Sequence, residues 1–316
     1  MLVFLSPGQG SQAPGMLLPW LGLPGARERL ARWSERTGLD LLALGTTGGP
    51  DVVRDTAVAQ PLLTAVALLS ADAVGDVPDA VCGHSVGELS ALAIAGVIPG
   101  DDAVALAATR GAAMAQAAAA APTGMSAVLG GDPDQVRDAV EAAGLQVATV
   151  NVAGQVVVGG PREALAALAA APPAGSRVRA LEVAGAFHTR AMAPAREALG
   201  RAVRELRPST ARCPVVVNAD GAVLTDGVAL LDRLVGQLTG PVRFDLCLAA
   251  LATLGVTAGV ELAPGGTLAA LAKRALPGRP IVALRGVEDL PAARDLLAEH
   301  GSPGTAHSCG HAAVSA

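Results

Sequence analysis

The chain has 316 residues, 51% of them apolar, enough to bury the core of one large domain carrying an insertion or of two smaller domains. Its net charge is −5 and no Lys/Arg run is long enough to serve as a nucleic-acid footprint, which argues against DNA or RNA as partners. The opening MLVFL lacks a basic region and is cut short by Pro7-Gly8, and no uninterrupted apolar stretch would span a bilayer, so neither export nor membrane insertion is expected.

Taken along the chain, Leu2 to Leu5 reads as a short buried strand running into the Gly-rich PGQGSQ loop. Ala80 to Cys82 is a second short strand, Val86 to Ala95 a helix closed by Gly96 and Pro99, and Asp101 to Ala121 a long helix with two acids in its first turn. This alternation predicts an α/β core with a parallel sheet. After Pro122 the rhythm changes to a strand at Met125–Leu129, a helix at Pro133–Ala143, strands at Val147–Val150 and Gln155–Val158, a helix at Pro161–Ala171 and a strand at Val178–Val183. That βαββαβ order is the split unit of a ferredoxin-like small domain, expected over residues 123–187 between the two parts, 1–122 and 188–300, of the large domain. The α/β pattern resumes with Val215–Asn218, a helix near Val228–Leu238, a strand near Val256–Leu262 and a helix over Thr267–Leu276. Residues 301–316 have no periodicity and are expected to be a disordered tail.

Gly83-His84-Ser85-Val86-Gly87 follows a strand and opens a helix, the context in which GxSxG forms a nucleophile elbow. The glycines permit a sharp turn, and the helix N-terminus brings backbone N–H groups and positive potential beside the serine oxygen. Such pentapeptides also occur as ordinary turns, and the strand-to-helix context favours the elbow. An elbow serine needs a base, and there are five histidines. His300, His307 and His311 lie in or next to the tail, and His84 adjoins the serine, where alternation of the backbone points it elsewhere. His188, at the exit of the small domain's last strand in Gly185-Ala186-Phe187-His188, remains. No Asp stands where it would orient His188, since Asp220, Asp226 and Asp232 fall in surface contexts, which leaves a backbone carbonyl or a side-chain amide. Arg110 rises from an apolar helical face next to Leu106 and Met114, with no acid one turn away. It either snorkels to solvent or is buried and needs an anion, for which a substrate carboxylate would serve. The PGQGSQ loop lacks the Lys of a P-loop and could instead bring a backbone N–H to an oxyanion.

Together these segments resemble the malonyl-CoA:acyl carrier protein transacylases of fatty-acid and polyketide synthesis. The matching pieces are PGQGSQ at 7–12, AQPLL at 59–63, GHSVGE at 83–88, Arg110 with Gly111 and Met114, Asn151 with AGQ at 153–155, GAFH at 185–188, Gln237-Leu238 before PVRF at 241–244, and PGGTL at 264–268. They follow the family's order over nearly the whole chain, up to about His300. The resemblance implies an α/β-hydrolase-like large domain with an inserted ferredoxin-like domain. It makes Ser85 the nucleophile, His188 the base, the backbone N–H groups of Gln9 and Val86 the oxyanion hole, and Arg110 the grip on a malonyl carboxylate. It gives the orienting of His188 to the main-chain carbonyl of Gln237, and puts Asn151 and Gln155 along the same cleft. Phe187 and Val86 follow the pattern that goes with malonyl rather than methylmalonyl, because a ring beside the α-carbon leaves no room for a methyl branch.

The implied partners are malonyl-CoA and an acidic acyl carrier protein, docked by Lys273 and Arg274 on the helix near the cleft mouth; both are substrates, and no cofactor is needed. The four cysteines, Cys82, Cys213, Cys247 and Cys309, are far apart without a CxxC pair, so buried free thiols in a cytoplasmic protein are expected; the protein is also expected to be a monomer. His307, Cys309 and His311 fall short of the four ligands of a structural zinc shell, and no metal is expected. A serine thioesterase would share the elbow, and Arg110 together with the missing third acid favours transfer over hydrolysis. A polyketide-pathway acyltransferase would share everything but its carrier protein.

Overall fold

A computed structural model describes residues 1–302, so His307, Cys309, His311 and nearly all of the expected tail lie outside the described residues. The chain opens with β1 (Leu2–Ser6), then α1 (Ala26–Thr37), α2 (Leu41–Thr47), α3 (Pro50–Arg54) and α4 (Thr56–Val74), and continues with β2 (Ala80–Gly83), α5 (Gly87–Ile94) and α6 (Gly100–Ala119). A second group comprises β3 (Thr123–Gly130), α7 (Pro133–Ala142), β4 (Gln146–Val152), β5 (Gln155–Pro161), α8 (Arg162–Ala170) and β6 (Ser176–Ala180). The remainder is α9 (Ala193–Val203), β7 (Val215–Val216), β8 (Val223–Leu224), α10 (Gly227–Gly236), β9 (Val242–Arg243), α11 (Phe244–Thr253), β10 (Ala258–Glu261), α12 (Thr267–Ala275), β11 (Ile281–Ala283) and α13 (Leu290–His300).

Among the described residues these strands form two sheets, giving the expected α/β large domain and small domain. The first has the order β11-β10-β1-β2-β7-β8 and is parallel except for the edge pair β7-β8. Every residue of β1 and β2 is buried, which is why both read as short apolar runs rather than as alternating patterns. The second has the order β6-β3-β5-β4-β9, and its first four strands are antiparallel neighbours in the split βαββαβ arrangement. Its fifth strand, β9, comes from the large-domain segment and pairs parallel to β4 through Thr149 with Val242 and Val150 with Arg243.

Three differences from the expected elements bear on the site. β6 ends at Ala180 instead of Val183, because Leu181, Glu182 and Val183 leave the sheet to line a cavity. The helix expected to reach Leu238 stops at Gly236, and Gln237–Thr239 tightens into a 3₁₀ turn. α4 meets the length and composition of a membrane span, yet 78% of its most apolar window is buried, and it packs against α5 and α6 as a core helix. Gly111 lets α6 press onto the start of α4: a Cβ there would stand 2.6 Å from the Thr56 carbonyl oxygen. At its other end α6 is pinned by Asp101, which accepts from the Trp33 indole at 2.7 Å and pairs with Arg32. α6 thus carries Arg110 into the interior at a fixed height.

Candidate active site

β2 runs into the GHSVG turn and α5 follows at once. The reason for the flanking glycines is close approach rather than backbone hand: a Cβ on Gly83 would strike the Gly87 backbone, and one on Gly87 would strike the Ser6 carbonyl oxygen. The left-handed conformation falls on Ser85 itself, with φ of 55°. Among the described residues the other non-glycine residue with positive φ is His188, at 58°. Strained backbone of this kind survives only where the surroundings over-determine it. Here the Ser85 N–H donates to Asn218 Oδ1 at 2.7 Å, and Gly185 packs so tightly that a Cβ would stand 2.6 Å from that of Ala118.

Ser85 Oγ and His188 Nε2 are 2.7 Å apart, and His188 Nδ1 lies 2.9 Å from the Gln237 main-chain oxygen. A carbonyl oxygen only accepts, so Nδ1 carries the proton and Nε2 presents its lone pair to the Ser85 hydroxyl. A backbone carbonyl thus takes the place of the missing acid. Burial first, and the Arg110 charge second, push His188 down to about 3, against the opposing pull of the Gln237 carbonyl. The resting imidazole is therefore neutral, and the arrangement can take the Ser85 proton.

Arg110 is fully buried, so the snorkelling alternative is excluded. Its Nη1 donates to Gln60 Oε1 at 2.6 Å, and Nη2 donates to Gln237 Oε1 at 2.8 Å and to Ser85 Oγ at 3.2 Å, while Nε has no partner. Burial pushes the guanidinium down to about 10, with Glu88 opposing, and it stays charged at neutral pH. Neutral amides hold it and no carboxylate pairs with it directly, leaving a buried cation within reach of the candidate nucleophile.

A cavity of about 230 Å³ opens over Ser85 and His188, walled by Gln9, Asn151, Phe187 and, from α12, Thr267, Leu268 and Leu271. A larger one of about 930 Å³ lies beside it between α3 and α8, but holds neither Ser85 nor His188; Arg110 lines neither cavity and meets the smaller one through Ser85 Oγ. We assign the reacting centre to the smaller cavity because the polar groups converge there. Gln9 enters it from the PGQGSQ loop, its side chain donating to Thr56 Oγ1 at 3.1 Å. Neither the Gln9 nor the Val86 backbone N–H donates to a protein acceptor among the described residues. Asn151 Oδ1 accepts from His84 Nε2 at 2.9 Å, so His84 indeed turns from Ser85 Oγ, but it lines the same cavity. Gln155 does not line it; it sits at the turn of the β4-β5 hairpin, paired with Val152. Lys273 and Arg274 are exposed in the last turn of α12.

Sequence reasoning missed Glu88, Asn218 and Gln60, all at most 3% exposed. Each is a polar residue in an apolar run, and that was the available signal. Glu88 in particular faces Arg110 from a different helix, so a search along α6 alone could not find it.

His188 gives a sign-definite test of this electrostatic picture. A group whose folded pKa is depressed from 6.5 to about 3 contributes stability that is complete above 6.5 and is lost as pH falls toward 3. Glu88, pushed by burial from 4.5 up to about 7, acts in the opposite sense over part of the same range. The comparison is therefore wild type against His188→Gln by denaturant unfolding, and the stability of wild type relative to the variant should fall between about pH 7 and 4. A pH-independent difference would mean that His188 is not held neutral.

The acyl transferase domain model matches residues 3–294. A malonyl CoA-acyl carrier protein transacylase of Mycobacterium tuberculosis is 51% identical over 298 residues, covering 92% of this chain and 98% of the relative. The crystal structure of MCAT from the same organism superposes with a TM-score of 0.91 at 50% identity, covering 93% of this chain and 99% of that one. A malonyl-transacylase solved in complex with its type II PKS acyl-carrier protein matches with a TM-score of 0.86 at 30% identity, covering 93% of this chain and 99% of that one. With the elbow, the paired histidine and the buried arginine in place, the chain belongs to the malonyl CoA-acyl carrier protein transacylase family of acyltransferases.

Proposed function

We propose that the protein transfers malonyl from malonyl-CoA to the phosphopantetheine thiol of an acyl carrier protein by a ping-pong mechanism through a malonyl ester on Ser85, supplying extender units for fatty-acid synthesis. The observation that carries this reading is Arg110 Nη2, a buried cation 3.2 Å from Ser85 Oγ, where a hydrolase acting on neutral acyl groups has no use for one. Ser85 Oγ attacks the thioester carbonyl while His188 Nε2 takes its proton. The tetrahedral oxyanion rests on the Gln9 and Val86 N–H groups. Collapse breaks the C–S bond, and the His188 imidazolium returns the proton to the departing coenzyme A thiolate. The carrier thiol then repeats these steps in reverse order, its proton passing through His188 to Ser85. Arg110 holds the malonyl carboxylate, Asn151 and Phe187 shape the cleft, and the Gln237 carbonyl keeps His188 in register. In this scheme side chains and backbone of one chain supply every proton transfer and charge contact, and we take the protein to act without a cofactor, as a monomer, in the cytoplasm.

The test is incubation with radiolabelled malonyl-CoA and several holo carrier proteins, with malonyl-carrier the expected product; release of free malonate alone would indicate a thioesterase. The same assay examines docking. α12 begins at the cavity wall with Thr267, and its rise carries Lys273 and Arg274 roughly 9–10 Å along the helix, where an acidic carrier would meet them. Charge reversal of this pair should raise the apparent KM for carrier protein and leave acylation by malonyl-CoA unchanged. Equal effects on both steps would refute docking at this helix.

A further inference from the structure

Glu88 ends the GHSVGE segment, lies in the first turn of α5 and is 3% exposed, yet the acyl transfer described above makes no use of it. Its two oxygens face two donors: Oε1 accepts the Asn218 backbone N–H at 2.5 Å, and Oε2 accepts from Gln237 Nε2. Each of these partners holds a different part of the site. Asn218 holds the elbow, accepting from the Ser85 N–H at 2.7 Å and donating to the Gly83 carbonyl at 2.7 Å. Gln237 holds Arg110 Nη2 on its Oε1 at 2.8 Å. An amide has one accepting and one donating end, so whatever faces its nitrogen decides what its oxygen can do.

We propose that Glu88 is a positioning residue whose carboxylate fixes the orientation of the Gln237 amide and thereby aims Arg110 at Ser85 and the substrate carboxylate. The inference rests on reading Arg110 as the carboxylate clamp. With both oxygens accepting, Gln237 must present Nε2 to Glu88 and Oε1 to the guanidinium. If one oxygen gains a proton, or is replaced by NH₂, the Asn218 N–H still claims the remaining acceptor. A donor then faces Gln237 Nε2, whose other acceptors are the Ser85 carbonyl at 3.2 Å and Asn218 Oδ1 at 3.1 Å, so the amide is pushed away from Glu88 rather than turned over. The displacement draws Oε1 off Arg110 Nη2, and the guanidinium loses the geometry of its anchor. The charged and titratable groups facing Glu88 are Arg110 on α6, Asp220 after β7 and Cys82 on β2. Burial raises the Glu88 carboxyl to about 7, against the opposing bonds from Asn218 and Gln237 and the Arg110 charge, so this switch falls in the neutral range.

The experiment measures kcat/KM for coenzyme A release from malonyl-CoA and acetyl-CoA, without carrier protein, between about pH 5.5 and 8.5. Taking the ratio of the two substrates cancels the titration of His188 and any shared loss through Asn218. In wild type the malonyl-to-acetyl ratio should rise roughly tenfold or more with pH, as Glu88 ionises. In Glu88→Gln it should stay at the low-pH value throughout. The wild-type profile stands as a test even if the variant does not fold. A malonyl preference that is present but indifferent both to pH and to Glu88→Gln would overturn this inference alone. Absence of any malonyl preference in wild type at every pH would overturn the clamp reading and this inference with it.

Discussion

Replacing Ser85 by alanine is expected to abolish acyl-enzyme formation, because every turnover of a ping-pong transfer passes through the ester on its Oγ. Loss of an activated serine nucleophile costs on the order of a millionfold in turnover where such enzymes have been dissected. The substitution should leave the fold intact. The bond that holds the elbow runs from the Ser85 backbone N–H to Asn218, and the close approaches belong to Gly83 and Gly87. Arg110 Nη2 loses its 3.2 Å contact with Oγ but keeps Gln237 Oε1 at 2.8 Å. Intact-mass spectrometry after mixing with malonyl-CoA should show one malonyl adduct on wild type and none on Ser85→Ala. An adduct on the alanine variant would place the nucleophile elsewhere.

Much of this architecture could be read from the chain because the relevant signals were local. The split βαββαβ unit announces itself by strand and helix patterns of ordinary length between glycines and prolines. β9 gave no such signal: it is two residues long, follows Pro241, and becomes a strand only because β4 offers it an edge. α11 reads as uniformly apolar, with Phe244, Cys247, Leu248 and Leu251 all buried, so its helical period has little contrast. The Ala-rich helices share this weakness.

The site divides along the same line. Ser85 follows from its turn, and His188 from elimination among the histidines, although 103 residues separate them. The orienting carbonyl of Gln237 could not be derived from spacing, since any main-chain oxygen is a candidate until the fold chooses one. Nor could the burial of Arg110 be decided from its helix, because its partners Gln60 and Gln237 arrive from α4 and from the turn after α10. Composition limits which chemistries are present; which of them meet is decided by long-range packing.

Arg110→Ala is expected to separate the two functions that the guanidinium combines. If it pairs with the malonyl carboxylate in a dry pocket, its removal strands a substrate charge at a cost on the order of 2–5 kcal/mol. At about 1.4 kcal/mol per tenfold, kcat/KM for malonyl-CoA should fall by roughly two to three orders of magnitude. Acetyl-CoA has no carboxylate to strand. The Arg110 charge is, after burial, the main influence that depresses His188, so its loss makes the base stronger, and acetyl-CoA should be used as well as before or better. Lysine should rescue little. Its ammonium is a point charge without the planar fork that reaches Gln60 on one arm and Gln237 and Ser85 on the other. The measurement is a pair of specificity constants, malonyl-CoA and acetyl-CoA, on wild type, Arg110→Ala and Arg110→Lys, with unfolding midpoints recorded beside them. Gln60 Oε1 and Gln237 Oε1 lose their donor in the alanine variant, so some stability is lost in any case. A fall of both constants by the same factor would make Arg110 a structural buttress of Gln237 and overturn the carboxylate clamp. A fall confined to malonyl-CoA would leave substrate recognition as its task.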